Sequence, residues 1–258
     1  MTDATFTAPA ANDRRFIRNL MTVMAIVLVS GFVVQLAAGR SSFAAPLVVH
    51  VHAVIFMGWA GIVLSQAWLA GAGNLQLHRQ LGKLAFVWTL ALLVAGTLVT
   101  VAAVQTGRTP FFFQPQHFIV ANPLVLYAAA GLVFAAVVLR HHPAWHSRLQ
   151  VCSFMLLMGP GFGRLLPMPL LPPYAHEIAA LIALVFPVAG MFYDWRVHGR
   201  PHPAWLWGIA ALVGITFLSR VLGFSPIGEA VYDAVVAGTP MAGTSGLDFP
   251  QPPGPTPA

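Results

Sequence analysis

The chain has 258 residues, of which 58% are hydrophobic and only 8% charged, and its formal net charge is +6. A water-facing surface usually needs about a quarter charged residues, so the composition argues against a soluble domain and for an integral membrane protein in a lipid bilayer. The basic residues are scattered through short loops rather than clustered, which argues against a nucleic-acid partner. The single cysteine, Cys152, excludes an internal disulfide and any multi-cysteine metal site.

A spanning helix needs roughly 20 apolar residues. Seven stretches qualify, 17–38, 46–70, 83–104, 117–139, 149–166, 175–195 and 203–222. The expected fold is therefore all-α, a polytopic transmembrane helix bundle of about seven spans. Residues 1–16 read as a cytoplasmic N-terminal segment, with Arg14, Arg15 and Arg18 at the start of the first span. That span is longer than the ~7–15-residue core of a cleaved signal peptide, so it reads as a retained anchor.

The second stretch contains "LVVHVHAVIFMGW", which places His50 and His52 in an almost unbroken apolar run. Successive helical residues turn by about 100°, so these two point to nearly opposite faces. His52, Trp59 and Gln66 are spaced by seven and share a face. That stripe is expected to face the bundle interior. The loop "RTPFFFQPQH" carries Phe111, Phe112 and Phe113 and reads as an interfacial anchor. The fifth stretch contains "GPGFGRLLP", where Pro160 lacks a backbone donor, so a kink or a broken end is expected there. Residues 223–237 suit a short amphipathic surface helix. Residues 238–258, rich in Pro, Gly and Thr, are expected to be disordered.

With the N-terminus inside, nine Arg and Lys residues fall on inner segments and four on outer ones. The positive-inside rule then gives an N-terminus inside, a tail outside, and the inner membrane of a bacterium as location. The same topology puts His50, His52, His117 and His176 near the outer ends of helices. The other six histidines, among them His78 and His146, fall at the inner side. His52 to His78 and His176 to His202 are each 26 positions, and His117 to His146 is 29, which hints at repeated hairpins. A neutral imidazole is a common haem or metal ligand. Two facing histidines of the outer set His52, His117 and His176 could hold a haem b, or all three a metal ion, with a second site at His78 and His146.

At "LHRQLGK" (77–83) and "HPAWHSRL" (142–149) the sequence resembles an uncharacterised family of bacterial multi-spanning membrane proteins. The matching residues are His52, then His78, Arg79, Leu81 and Gly82, then His146, Arg148 and Leu149, and the likeness covers roughly 45–222. Asn122 stands near a position where members often carry an acidic residue. The resemblance implies a class and no activity.

Three functions follow from these readings. The first is a haem b or metal-binding electron-transfer membrane protein, with the cofactor's identity open. The second is a structural or assembly subunit with membrane protein partners, and the third is a transporter of a neutral substrate. Coupled ion transport usually places ionisable groups within the membrane, and Glu177, Asp194, Arg164 and Arg220 all fall near predicted helix ends. No P-loop, dinucleotide fingerprint or G-x-S-x-G elbow is present.

Overall fold

The structure, a computed structural model, describes residues 11–40 and 44–251. The described residues are helical, and six helices are long and apolar enough to cross a membrane: Ala11–Ala37, Leu47–Gly71, Leu75–Gln105, Pro115–Val138, Ala175–His198 and Pro203–Gly223. In chain order these are α1, α2, α3, α4, the joined pair α7 (Ala175–Ala183) and α8 (Val185–His198), and α9. Two shorter helices, α5 (Pro143–Leu156) and α6 (Gly159–Leu165), lie between α4 and α7, and α10 (Pro226–Val236) follows α9. With α7 and α8 counted as one, these make nine α-helices among the described residues. Apolar side chains such as Val54, Val94, Leu181 and Phe217 stay exposed on the long helices. Such a surface suits lipid rather than water. The chain is a multi-spanning helical membrane protein.

Local chemistry sets the helix ends. Gly73 takes φ +77° at the end of α2, a conformation that favours glycine. Asn74 then caps α3, its Oδ1 accepting from the Leu77 N–H at 3.2 Å. This cap starts α3 eight residues before the expected boundary at 83, so "LQLHRQLG" is the polar first part of the span and not a loop. Pro115, Pro143, Pro203 and Pro226 open four helices, where a missing N–H costs nothing. α1 likewise begins at Ala11, so the part of the expected N-terminal segment that is described is already helical.

The expected fifth span, 149–166, is a broken helix. α5 ends at Leu156, and Leu157 and Met158 separate it from α6, which opens on Gly159 and Pro160. From Val151 to Met158 every residue is buried. A helix apolar on all faces belongs at the centre of a bundle, and α5 packs against α4, α9, α1 and α8. It starts beside α3, with the His78 and His146 rings neighbours. α6 ends beside the C-terminal part of α1, where Gln35 Nε2 donates to the Arg164 carbonyl at 2.8 Å. A Cβ added to Gly31 would lie 2.6 Å from the Gly161 carbonyl oxygen, so the two backbones touch directly.

α5 is held by an ion pair. Arg148 is 1% exposed and Asp194 fully buried. Arg148 Nε donates to Asp194 Oδ2 at 2.9 Å, and its Nη2 donates to Oδ1. Asp194 also accepts from the His202 N–H at 3.1 Å and from Trp205 Nε1 at 2.7 Å. Asp13 of α1 lies 3.8 Å from Arg148 Nη2 and accepts from the Tyr193 hydroxyl at 3.0 Å, with His198 Nε2 at 3.1 Å. One cluster thus ties α1, α5, α8 and α9 together. Asp194, expected near a helix end, is buried and paired.

Two other expectations change. Phe111 and Phe112, partly buried, pack onto the main core, and Phe113 packs against His117, Phe118 and His176, so the trio also makes contacts within the bundle. The tail has defined structure as far as Gln251. Gly246 accepts the Gln116 N–H at 2.8 Å, Leu247 accepts from Gln114 Nε2 at 2.7 Å, and the Tyr232 and Thr244 hydroxyls are 2.8 Å apart. The expectation of disorder for 252–258, and the first ten residues of the expected cytoplasmic N-terminal segment, lie outside the described residues.

Asp194→Ala strands a buried guanidinium and should cost about 3–5 kcal/mol, read as a large fall in thermal stability in detergent. The double change Arg148→Met with Asp194→Leu removes both charges and should be more stable than Asp194→Ala alone. A double variant less stable than Asp194→Ala would refute the account. A chain ended at Ala237 should insert normally but melt at a lower temperature, because the tail's bonds to α4 and α10 are lost. An unchanged melting point would show that those bonds contribute nothing.

Candidate functional site

Two groups of histidines stand at opposite ends of the bundle. α2 is 25 residues long, about 37 Å at 1.5 Å per residue, and it separates His52 at its start from the turn that leads to His78.

At one end, the His78 and His146 rings lie 6.1 Å apart between centroids, at 86° to each other. His78 Nδ1 is 3.2 Å from the Gln66 carbonyl oxygen on α2, and His146 Nδ1 is 2.8 Å from the Ala136 carbonyl oxygen on α4. A carbonyl can only accept, so each Nδ1 carries the proton and donates. The Nε2 atoms are then left with lone pairs, which is the tautomer a ligand histidine adopts when a carbonyl orients it. Both rings line one cavity with Trp59, Gln66 and Gly82, and the Gln66 Oε1 is buried without a partner. The shared face expected for His52, Trp59 and Gln66 does face the interior. Trp59 is buried edge-on to Phe154 at 5.5 Å, and His52 enters the cavity at the other end.

Two metal–imidazole bonds of ~2 Å each, together with the two ring radii, span about 6 Å. The centroid separation of 6.1 Å is of that order. The enclosed cavity, ≈130 Å³, is smaller than an ordinary ligand pocket of about 300–1,000 Å³. A porphyrin would need the side chains around it to move.

At the other end, the His117 and His176 rings are 5.5 Å apart at 84°. His117 stacks on Phe224 and abuts Gly223, and Glu177 beside His176 pairs with Arg220. The Nε2 atoms of His117 and His176 and the Nδ1 of His52 are buried with no hydrogen-bond partner. His52, however, packs on Phe56. Among the described residues no three His, Cys, Asp or Glu side chains are gathered for a metal ion, so the outer trio is not assembled as one metal site.

The sequence reading missed the partners of these groups. Arg148 follows His146 by two positions inside the quoted "HPAWHSRL", and a buried role could have been suspected from an arginine two residues before a continuous apolar run. Nothing in the sequence links it to Asp194.

Comparison with protein-family models, with curated proteins and with solved structures gives no match. No family is thereby identified for the chain. What fold and composition establish is the class, an integral membrane protein with six candidate spans.

Proposed function

We propose that the chain is an electron-transfer membrane protein holding a b-type haem between His78 and His146. The observation that carries this reading is the pair of Nδ1–H donations to the Gln66 and Ala136 carbonyls. They fix both rings and leave both Nε2 atoms for a ligand. Bound there, a haem would supply one-electron chemistry. The chain's own part is to hold the two imidazoles neutral and oriented. The apolar surroundings, from Val63, Ala67, Phe86 and Val133, keep water away from the site. His78 and His146 are chosen over the outer set because a backbone carbonyl orients each of them through Nδ1, an arrangement not seen at His52, His117 or His176.

The finer topology belongs to the same proposal. α5 and α6 together run from the His78 end of the bundle to the Gln35 end and serve as a seventh crossing. With the nine-to-four distribution of basic residues, the N-terminus is inside, the tail outside, and the membrane is the bacterial inner membrane. Reporter fusions at Ala72, Thr106, His142, Pro172, Arg200 and Gly246 should alternate in activity, with Gly246 reporting outside. A Gly246 reporter active only in the cytoplasm would refute the orientation or the odd count.

Protein purified from haem-replete cells should show a Soret band and a reduced-minus-oxidised α band. His78→Ala and His146→Ala should each abolish them while the protein still inserts, and His52→Ala should leave them in place. Wild-type protein without Soret absorbance would sink the haem reading, and bands that survive both inner substitutions would move the site elsewhere.

A further inference from the structure

The end of the bundle opposite His78 and His146 holds a second cavity, of ≈400 Å³, enclosed by α2, α3, α4, α5, α6 and α7. This is the size of an ordinary small-molecule site. Its deep wall is apolar, with Leu126, Met155, Ala183 and Leu212, and its charged groups are Arg164 and Arg108. No carboxylate lines it.

Arg164 is placed with care. Its guanidinium lies 4.1 Å from the Phe32 ring centroid. Its Nη1 donates to the Pro160 carbonyl one turn earlier at 2.9 Å. The guanidinium has five donors, and that single backbone bond is the only hydrogen bond it makes among the described residues. Nor does it make an ion pair among them. The contrast with the rest of the molecule is plain: Arg148 is neutralised by Asp194, and Arg220 by Glu177. Two further cavity residues carry unmet hydrogen-bonding atoms, His52 at Nδ1 and His176 at Nε2, both buried. A partly buried cation without a counter-ion, two unsatisfied imidazoles and a long apolar wall form one amphipathic pocket. Leaving such polar atoms unmet is costly, and an anionic head group would satisfy them together.

We propose that this cavity binds a single-chain lipophilic anion, a fatty-acid-like carboxylate. Its head lies on Arg164 within reach of His52 and His176, and its chain runs against the wall formed by Leu126, Met155, Ala183 and Leu212. The same head-group chemistry is offered by a phospholipid phosphate. The enclosed volume suits one chain better than two, so the proposal commits to the single-chain ligand. It stands apart from the haem at His78 and His146, and protein without Soret absorbance should bind the ligand equally well.

The test is a fluorescence titration of the purified full chain in detergent with a dansyl-labelled undecanoate. Saturable binding is expected, displaced by laurate and not by methyl laurate or phosphatidylglycerol. Arg164→Gln should weaken binding by about tenfold or more, the loss typical of a charge-assisted bond, and Arg164→Lys should recover part of it. Ala180→Phe, which fills the cavity without touching a charge, should weaken binding as much. The competitor series on the wild type needs no variant and decides the matter even if Arg164→Gln misfolds. Absence of saturable binding would overturn the proposal, as would equal displacement by methyl laurate. Displacement by phosphatidylglycerol but not laurate would overturn it in favour of a phospholipid head group.

Discussion

The buried pair of Arg148 and Asp194 is the constraint on which the bundle's arrangement rests. Removing two charges from water costs several kcal/mol per ion, and the mutual attraction repays this only when the remaining donors and acceptors are satisfied. Here they are satisfied with unusual completeness. Asp194 accepts two guanidinium bonds, a backbone N–H and an indole N–H. Each donor comes from a chosen place: α5, the turn before α9, and α9 itself. Apolar packing alone would let the buried second half of α5, from Val151 to Leu156, rotate or slide. A bidentate guanidinium admits one rotation and one depth. The pair therefore gives α5 a register that its apolar sequence cannot.

That register bears on the histidines. His146 lies two residues before Arg148 on α5, so fixing Arg148 fixes the backbone that carries the His146 ring. His78 is set independently, by the Asn74 cap that starts α3 and by the Gln66 carbonyl. Two rings placed by separate devices arrive within 6.1 Å of each other. A second-shell bond to a backbone carbonyl orients each ring. Because those carbonyls sit on α2 and α4, four of the five helices that line the cavity, α2 to α5, contribute to one pair of imidazoles.

Much of this architecture was legible in the sequence, and the limits have physical causes. Four of the six long spans fell within a few residues of their expected positions, because apolar length is dictated by bilayer thickness. The start of α3 was misjudged because its first turns are polar, and a cap, not hydropathy, sets that boundary. The 3.6-residue period placed His52, Trp59 and Gln66 on an inward face, since a local rule needs only local sequence. The histidine partnerships did not follow from spacing. The intervals hinted only at repeated hairpins with one histidine near each end, and they do not say which rings meet. Contact joins His78 with His146 and His117 with His176, which depends on how hairpins pack. The Arg148–Asp194 pair was hidden for the same reason: each residue lay near an expected helix end, where charge is ordinarily solvated.

The break after α5 shows how one local feature shapes both ends. A continuous helix from 143 to 165 would carry its apolar faces through the whole bundle and fill the space beside α7. Instead the chain steps aside at Leu157 and Met158, and α6 resumes with Gly159, Pro160 and Gly163 bordering the larger cavity. Glycine leaves room there, and Gly161 lets α6 lie directly on α1 at Leu28 and Gly31. The displaced helix carries Arg164 in its last turn, and its guanidinium lies over Phe32 rather than beside an acid. The bundle is thus tightly compensated where Arg148 sits and uncompensated where Arg164 sits. Both arginines belong to the same interrupted span. The first half of that span is anchored by a carboxylate supplied by the fold, and the second half presents its cation to a cavity that has none.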